Sequence, residues 1–280
     1  MTRFCLLTML LAAACFVLPL AAMRPGLAVP ALSPAQARIA QPSKAKLDRA
    51  QAALNQATAS QLCQRGVTAQ LNKRPADAED YYRRALGAAD PNGLEAARIY
   101  KYRGILFHNQ NRTGEAEHDF LSALTIEEKT PGADGDRADT LQLYSGVLRD
   151  TGRTDQARIQ ADLAADLRTK YFQDAIWGNH PSGEPAIRVG GSVLAPKRID
   201  AQEPQYSDLA RLAKFQGAVV LQVEIGTDGQ AHNILVRKPL GLGLDEKAAE
   251  AVRTWRFEPA TRDGQPVAVK ATIEVNFRLL

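Results

Sequence analysis

Cysteine is nearly absent from this chain, and the absence removes several kinds of chemistry at once. Only Cys5, Cys15 and Cys63 occur, and the first two lie in an apolar N-terminal run. The body of the protein keeps one thiol, so no intramolecular disulfide framework is open to it. A lone cysteine in a helical pattern reads as a small buried hydrophobe. The four histidines, His108, His118, His180 and His232, share no short metal-ligand spacing. Metal-binding, phosphate-loop and nucleophile-elbow patterns are all missing. Acidic stretches such as Asp77–Asp80 read as solvated helix faces. No catalytic residue, metal or cofactor is predicted, and the chain does not read as an enzyme. Charge of one sign is lacking too: 35 basic against 31 acidic side chains leave a net charge of +4. Without a basic stripe interleaved with aromatics, nucleic acid is not an expected partner.

What is present is strong alternation near the C-terminus. From Val267 to Leu279 every odd position is apolar and most even ones are polar. A strand with one face on a core and one in solvent has this period of two. Gly217 to Ile225 alternates likewise, and Asp228-Gly229 supplies a tight hairpin turn into a second strand from Ala231 to Arg237. Leu244, Ala248, Ala251, Val252 and Trp255 fall at helical spacing, so one helix face packs on the sheet. Ser207 is placed to cap a short helix carrying Leu209, Leu212 and Ala213. If the closing strand lies at a sheet edge, its backbone can receive an extended peptide as an extra strand. The residues expected at that contact are Val269, Ala271, Thr272, Ile273, Glu274 and Val275. The segment Glu203, Pro204, Gln205 and Tyr206 is expected beside them. Trp255, Phe257 and Pro259 are assigned to the core beneath the sheet. The same edge could instead pair with a second copy, giving a homodimer.

The middle of the chain repeats. Gly66, Gly104 and Gly146 each precede a helix-turn-helix pattern in which Ala78, Ala116 and Ala157 recur at intervals of 38 and 41 residues. Arg74, Arg112 and Arg153 mark the three turns. Small residues stand where paired helices must approach closely, and three pairs suffice for a stacked solenoid. The units resemble tetratricopeptide repeats with lengthened turns, which implies a face able to hold another protein. Tyr100, Tyr102, Phe107, His108 and Tyr144 are either aromatic residues of that face or filling for the helix–helix core. An amphipathic leader, Ala45 to Ala59, with Leu47, Ala50, Leu54 and Ala57 on one side, precedes the first unit.

The N-terminus sets the compartment. A basic start and the uncharged run from Phe4 to Ala22 read as a secretory signal peptide or an uncleaved anchor. Pro19, small-residue cleavage sites as late as residue 37 and the following Pro/Ala-rich stretch favour cleavage. The expected location is the periplasm, free or anchored to the inner membrane.

A family becomes visible in Pro204-Gln-Tyr206, Gly217-Ala-Val219, Asp228-Gly229, Leu244-Asp245, Ala251-Val252 and Trp255-Arg-Phe-Glu-Pro259. In this order they resemble the C-terminal domain of TonB-family energy transducers, with Arg188-Val-Gly-Gly191 and Pro196-Lys-Arg-Ile199 as the lead-in. The resemblance implies a small α+β domain that captures the TonB-box peptide of TonB-dependent outer-membrane receptors by strand addition. It also implies coupling to the proton-driven ExbB–ExbD motor. However, the run from Phe4 to Ala22 has no His or charge, and the usual long Pro/Lys-rich spacer is missing. An unpowered periplasmic adaptor therefore stands beside the transducer reading. This chain has Tyr206-Ser207 where the family usually shows Tyr-Pro, and Glu203 where many members have Gln.

The expected architecture is multidomain: an all-α, tetratricopeptide-like helical-hairpin solenoid followed by a small α+β domain with an antiparallel sheet. Residues 1–22 form the signal peptide or anchor and 23–43 a disordered segment. Residues 44–174 hold the helical repeats, 175–186 a linker and 187–280 the TonB C-terminal domain.

Overall fold

The computed structural model describes residues 43–172, 176–177 and 186–279. The expected signal peptide or anchor and most of the Pro/Ala-rich segment lie outside the described residues, as does the greater part of the connector. Six helices come first: α1 (Lys44–Leu71), α2 (Pro75–Ala88), α3 (Leu94–Asn109), α4 (Thr113–Lys129), α5 (Asp134–Asp150) and α6 (Thr154–Phe172). They pair as three hairpins with one recurring turn. Lys73, Asn111 and Gly152 occupy the same place in it, each with positive φ (58°, 60° and 79°). The next amide reaches back to close the helix end: Arg74 N–H to Ala69 O at 2.9 Å, Arg112 to Phe107 at 2.9 Å and Arg153 to Leu148 at 2.8 Å. These bonds satisfy carbonyls that a helix C-terminus would otherwise orphan.

Small residues let the hairpins close, as the spacing predicts. Ala78, Ala116 and Ala157 are all buried. A Cβ on Gly66 would collide with the Tyr82 ring, and one on Gly104 with Phe120. Gly146 differs, because the nearest atom to its Cβ position is His108 Cε1 at 3.7 Å. Successive hairpins are tied at matching positions. Arg112 Nη1 donates to Glu79 at 2.7 Å, and Arg153 Nη2 to Glu117 at 2.8 Å. The leader is not a separate element, since it runs without a break into the first hairpin as the 28-residue α1. No Gly or Pro interrupts residues 45–65, so nothing stops the helix. Its apolar stripe stays exposed: Leu47 and Leu54 are 55% and 61% accessible. Phe107 and Tyr144 belong to the helix core, where the Tyr144 hydroxyl donates to Glu117 at 2.7 Å.

The C-terminal part is built on a five-stranded sheet. Its elements are β1 (Ile176–Trp177), β2 (Ile187–Arg188), β3 (Val193–Leu194), β4 (Lys197–Asp200), α7 (Asp208–Leu212), β5 (Gly217–Ile225), β6 (Ala231–Lys238), α8 (Leu244–Thr254), β7 (Arg256–Glu258), β8 (Ala260–Arg262), β9 (Gln265–Val267) and β10 (Val269–Phe277). The sheet order is β1-β6-β5-β10-β2; only β10 and β2 run parallel. Two small antiparallel ladders, β3-β8-β9 and β4-β7, flank it. Val219, Leu221, Val223 and Ile225 of β5 are buried, as are Leu244, Ala248 and Val252 of α8. Gly229 (φ 71°) makes the β5–β6 turn, and a Cβ there would strike the Phe257 carbonyl. The expected closing strand from 267 to 279 is divided. Val267 ends β9 opposite Ala260, Ala268 turns between strands, and β10 carries the nine-residue ladder with β5. The segment read as linker contributes β1, which pairs with Ile234 and Leu235 of β6.

Residues 48–280 form one compact unit, and polar contacts seat the helices on the sheet domain. The loop before α8 has three successive positive φ values, at Gly241 (98°), Leu242 (55°) and Gly243 (74°). Its amides converge on two carboxylates. Asp245 accepts from Leu240 N–H (2.7 Å) and Gly241 N–H (2.8 Å), and Asp139 of α5 accepts from Leu242 N–H (2.7 Å). The Arg168 guanidinium of α6 lies where any Cβ on Gly241 would fall. Asn109 of α3 donates to the Leu212 carbonyl at 2.9 Å. Beside this junction lies a cavity of about 220 Å³ lined by Asp136, Asp139, Arg168, Tyr171 and Asp245.

Candidate interaction edge

β10 has one side fully paired and the other mostly open. Its nine residues, Val269 to Phe277, all align with β5. On the opposite side β2 covers only Val269 and Lys270. The chain then leaves the edge through Gly190 (φ 134°) and Gly191 (φ 62°) into the β3 turn. Among the described residues, no strand pairs with that side of β10 from Ala271 to Phe277. The open stretch is about 23 Å long at the rise of an antiparallel strand.

One hydrogen bond shows which groups face outward. The Ile187 N–H donates to the Ala268 carbonyl at 3.0 Å, so Ala268 directs its polar backbone toward β2. Backbone polar groups alternate sides along a strand. Lys270, which pairs with Arg188, therefore faces β2, and Thr272, Glu274 and Asn276 present N–H and C=O on the open side. The odd residues spend their backbone bonds on β5. Side chains alternate as well: Val269, Val275 and Phe277 are buried, Ala271 and Ile273 half-buried, and Lys270, Thr272, Glu274 and Asn276 exposed.

These observations sort the residues singled out by sequence. Thr272 and Glu274 carry both outward backbone and exposed side chains. Val269 and Val275 give their side chains to the core, and Ala271 and Ile273 form a partly covered apolar shelf. Asn276, polar and exposed like them, completes the outward set one residue beyond the stretch expected from sequence. The second group lies near the far end of β10. The Tyr206 ring meets Phe277 edge-to-face, with centroids 5.5 Å apart, and its hydroxyl donates to Phe215 O at 3.1 Å. Glu203 and Gln205 are exposed and Pro204 half-buried. Trp255 and Phe257 are buried and Pro259 half-buried. The Trp255 indole N–H donates to Gln202 O at 2.8 Å, anchoring the start of the segment that leads to Tyr206.

The Tyr206-Ser207 departure has a structural role. The Ser207 hydroxyl accepts from Ala210 N–H at 3.0 Å, which caps α7, and donates to the Leu242 carbonyl. It thereby links α7 to the loop that Asp139 holds. Cys63 is fully buried, and burial pushes its thiol up to about 12, which keeps it protonated and inert. Among the described residues no cluster of His, Cys, Asp and Glu is arranged to hold a metal. No described helix is long and apolar enough to cross a membrane.

Comparison with known proteins follows these boundaries. Residues 202–279 match the family described as the Gram-negative bacterial TonB protein C-terminal. The chain is 34% identical over 93 residues to Protein TonB of Xanthomonas campestris pv. campestris, covering 32% of this chain and 41% of that protein. With Protein TonB of Vibrio cholerae it shares 33% identity over 86 residues, 30% of this chain and 35% of that one. With Protein TonB of Escherichia coli K12 it shares 28% identity over 83 residues, 29% of this chain and 34% of that one. The likeness thus spans less than half of each relative and is confined to about a third of this chain.

Proposed function

We propose that this chain, a TonB-family protein through its C-terminal domain, binds an extended partner segment by adding it to the open side of β10. The observation that carries the reading is the row of outward N–H and C=O groups at Thr272, Glu274 and Asn276, a template on which another strand can pair. Main-chain bonds supply affinity, and side chains meeting the Ala271–Ile273 shelf supply selection. Val269 and Val275 support the strand from the core. Glu203, Pro204, Gln205 and Tyr206 border its far end. The partner class is the TonB-box peptide of TonB-dependent outer-membrane receptors, and the role is energy transduction for transport across the outer membrane. The three helical hairpins act as a tetratricopeptide-like solenoid for a further protein. The chain works in the periplasm, and an inner-membrane anchor at its N-terminus would bring it to ExbB–ExbD.

A second reading is an unpowered periplasmic adaptor that joins a partner on the helices to one on β10. The uncharged, His-free N-terminal run favours it, as does the polar junction through Asp139 and Arg168. N-terminal sequencing separates the two. A mature start at or after Met23 supports the adaptor. Intact Met1 in inner membranes, with ExbB–ExbD co-purifying, supports the motor-coupled transducer.

The binding step is tested with Thr272→Pro in the full chain. Proline removes an outward N–H while leaving every donor to β5, and edge strands tolerate it where the lost N–H faces solvent. TonB-box peptide binding by calorimetry should fall sharply while the fold persists. Undiminished binding by the folded variant would remove β10 as the acceptor.

A further inference from the structure

The open side of β10 is a short slot with a defined middle. At one end β2 occupies Val269 and Lys270, and at the other the ladder ends at Phe277. Three residues face outward between these stops, and Glu274 is the central one. The charges around it are uneven. Lys270 lies 3.8 Å from Glu224, and Arg188 stands beside Lys270 on β2. Across the sheet Glu274 aligns with Val220, which in turn aligns with Lys238 on the far side of β5. Glu274 itself has no ion-pair partner among the described residues, and its side chain is exposed. The residue directly opposite it on an added strand would be its cross-strand neighbour on the side away from Val220.

This arrangement disfavours one possible occupant. A second copy docked on the same edge about a two-fold axis must run antiparallel. The register that uses all three outward residues pairs Thr272 with Asn276 and sets Glu274 against its own equivalent. Like charges placed directly opposite destabilise a strand pair. Shifting the copy toward β2 is blocked at Lys270.

We infer that the slot selects a foreign extended peptide carrying a basic, not acidic, side chain at the position opposite Glu274. The inference rests on the strand-addition reading above. The peptide's alternate residues are apolar and rest on the Ala271–Ile273 shelf. Its middle solvent-side residue reads charge.

Two alternating Thr/Val nonapeptides, with Lys or Glu as the central residue of the Thr side, test this on the full chain by calorimetry or anisotropy. The Lys peptide should bind about two- to fivefold more tightly, the span expected of one cross-strand charge pair. Glu274→Lys should reverse the preference. Glu250→Lys, an equal charge change on α8 away from the slot, should leave the ratio as in the wild type. If both peptides bind and Glu274→Lys leaves their ratio unchanged, charge selection at Glu274 is wrong and strand addition survives. If neither binds, strand addition itself fails. A wild-type dimer in ultracentrifugation that Thr272→Pro dissociates would make a second copy the occupant and overturn the inference.

Discussion

The Ile187 amide donates to the Ala268 carbonyl at 3.0 Å, and this contact fixes the polarity of the whole of β10. It turns the backbone of even residues away from β5, so neighbouring positions on one strand differ in what they can lose. Thr272→Pro should cost about 1 kcal/mol or less, because its N–H faces solvent. Ile273→Pro removes an inward donor and strands its acceptor on β5, at a cost of about 3 kcal/mol. Urea titrations of the two variants measure the difference. Equal costs would mean that the alternation is assigned the wrong way round.

Close helix contacts make a second comparison. Gly66→Ala and Gly104→Ala push a methyl into Tyr82 and Phe120, and each should destabilise by about 1–3 kcal/mol. Gly146→Ala meets only ordinary van der Waals contact and gains helix propensity, so it should be neutral or stabilising by up to about 1 kcal/mol. Thermal melts of the three variants decide it. A destabilised Gly146→Ala would show that the third hairpin is packed like the other two.

The junction of helices and sheet rests on Asp139. Its carboxylate holds Leu242 N–H at 2.7 Å and lies 3.4 Å from Arg168. Asp139→Ala leaves a buried amide and a buried guanidinium short of an acceptor, at a cost of about 3 kcal/mol. Proteolysis should then release the helical part from the C-terminal domain faster than in the wild type. Unchanged stability and cleavage would show that the apolar contacts alone hold the two together.

The same group gives the junction a pH dependence. Burial pushes the Asp139 carboxyl above the ordinary aspartate range, against the opposing pull of Lys101, Arg168 and the Leu242 amide. A carboxyl raised in the folded state holds its proton there after the unfolded chain has released it. Its contribution to stability is therefore greatest below the unfolded value, about pH 4, and is lost as pH rises through the folded one. Asp139→Asn keeps an oxygen for Leu242 N–H and removes the titration. The wild-type stability minus that of the variant should fall as pH rises from about 4. A difference that grows with pH would reverse the sign of the shift.

Much of the C-terminal domain was legible because its signals are local. Alternation in Gly217–Ile225, Asp228-Gly229 at the turn and Ser207 before α7 each act within a few residues. The recurring Arg-turn-Ala pattern of the hairpins is equally local. What escaped depends on distant partners. Val267 looks like part of the closing strand until Ala260 claims it for β9. The leader's stripe at Leu47 and Leu54 reads as one face of an amphipathic helix, yet both residues stay exposed. Asp139 and Leu242 stand 103 residues apart, and no short-range pattern announces that a helix carboxylate will fill a loop of left-handed residues. The outward set at Thr272, Glu274 and Asn276 is implicit in the alternation. Only the β2 contact tells which of the two backbone sets is free.

Amide hydrogen exchange on the full chain, with and without a TonB-box peptide, tests the central claim most directly. In the free protein the amides of Thr272, Glu274 and Asn276 should exchange fast. Those of Lys270, Ala271, Ile273 and Val275 should already be protected by β2 and β5. Bound peptide should slow the three fast amides and leave the others as they were. Binding without slowing at Thr272, Glu274 and Asn276 would contradict strand addition at β10.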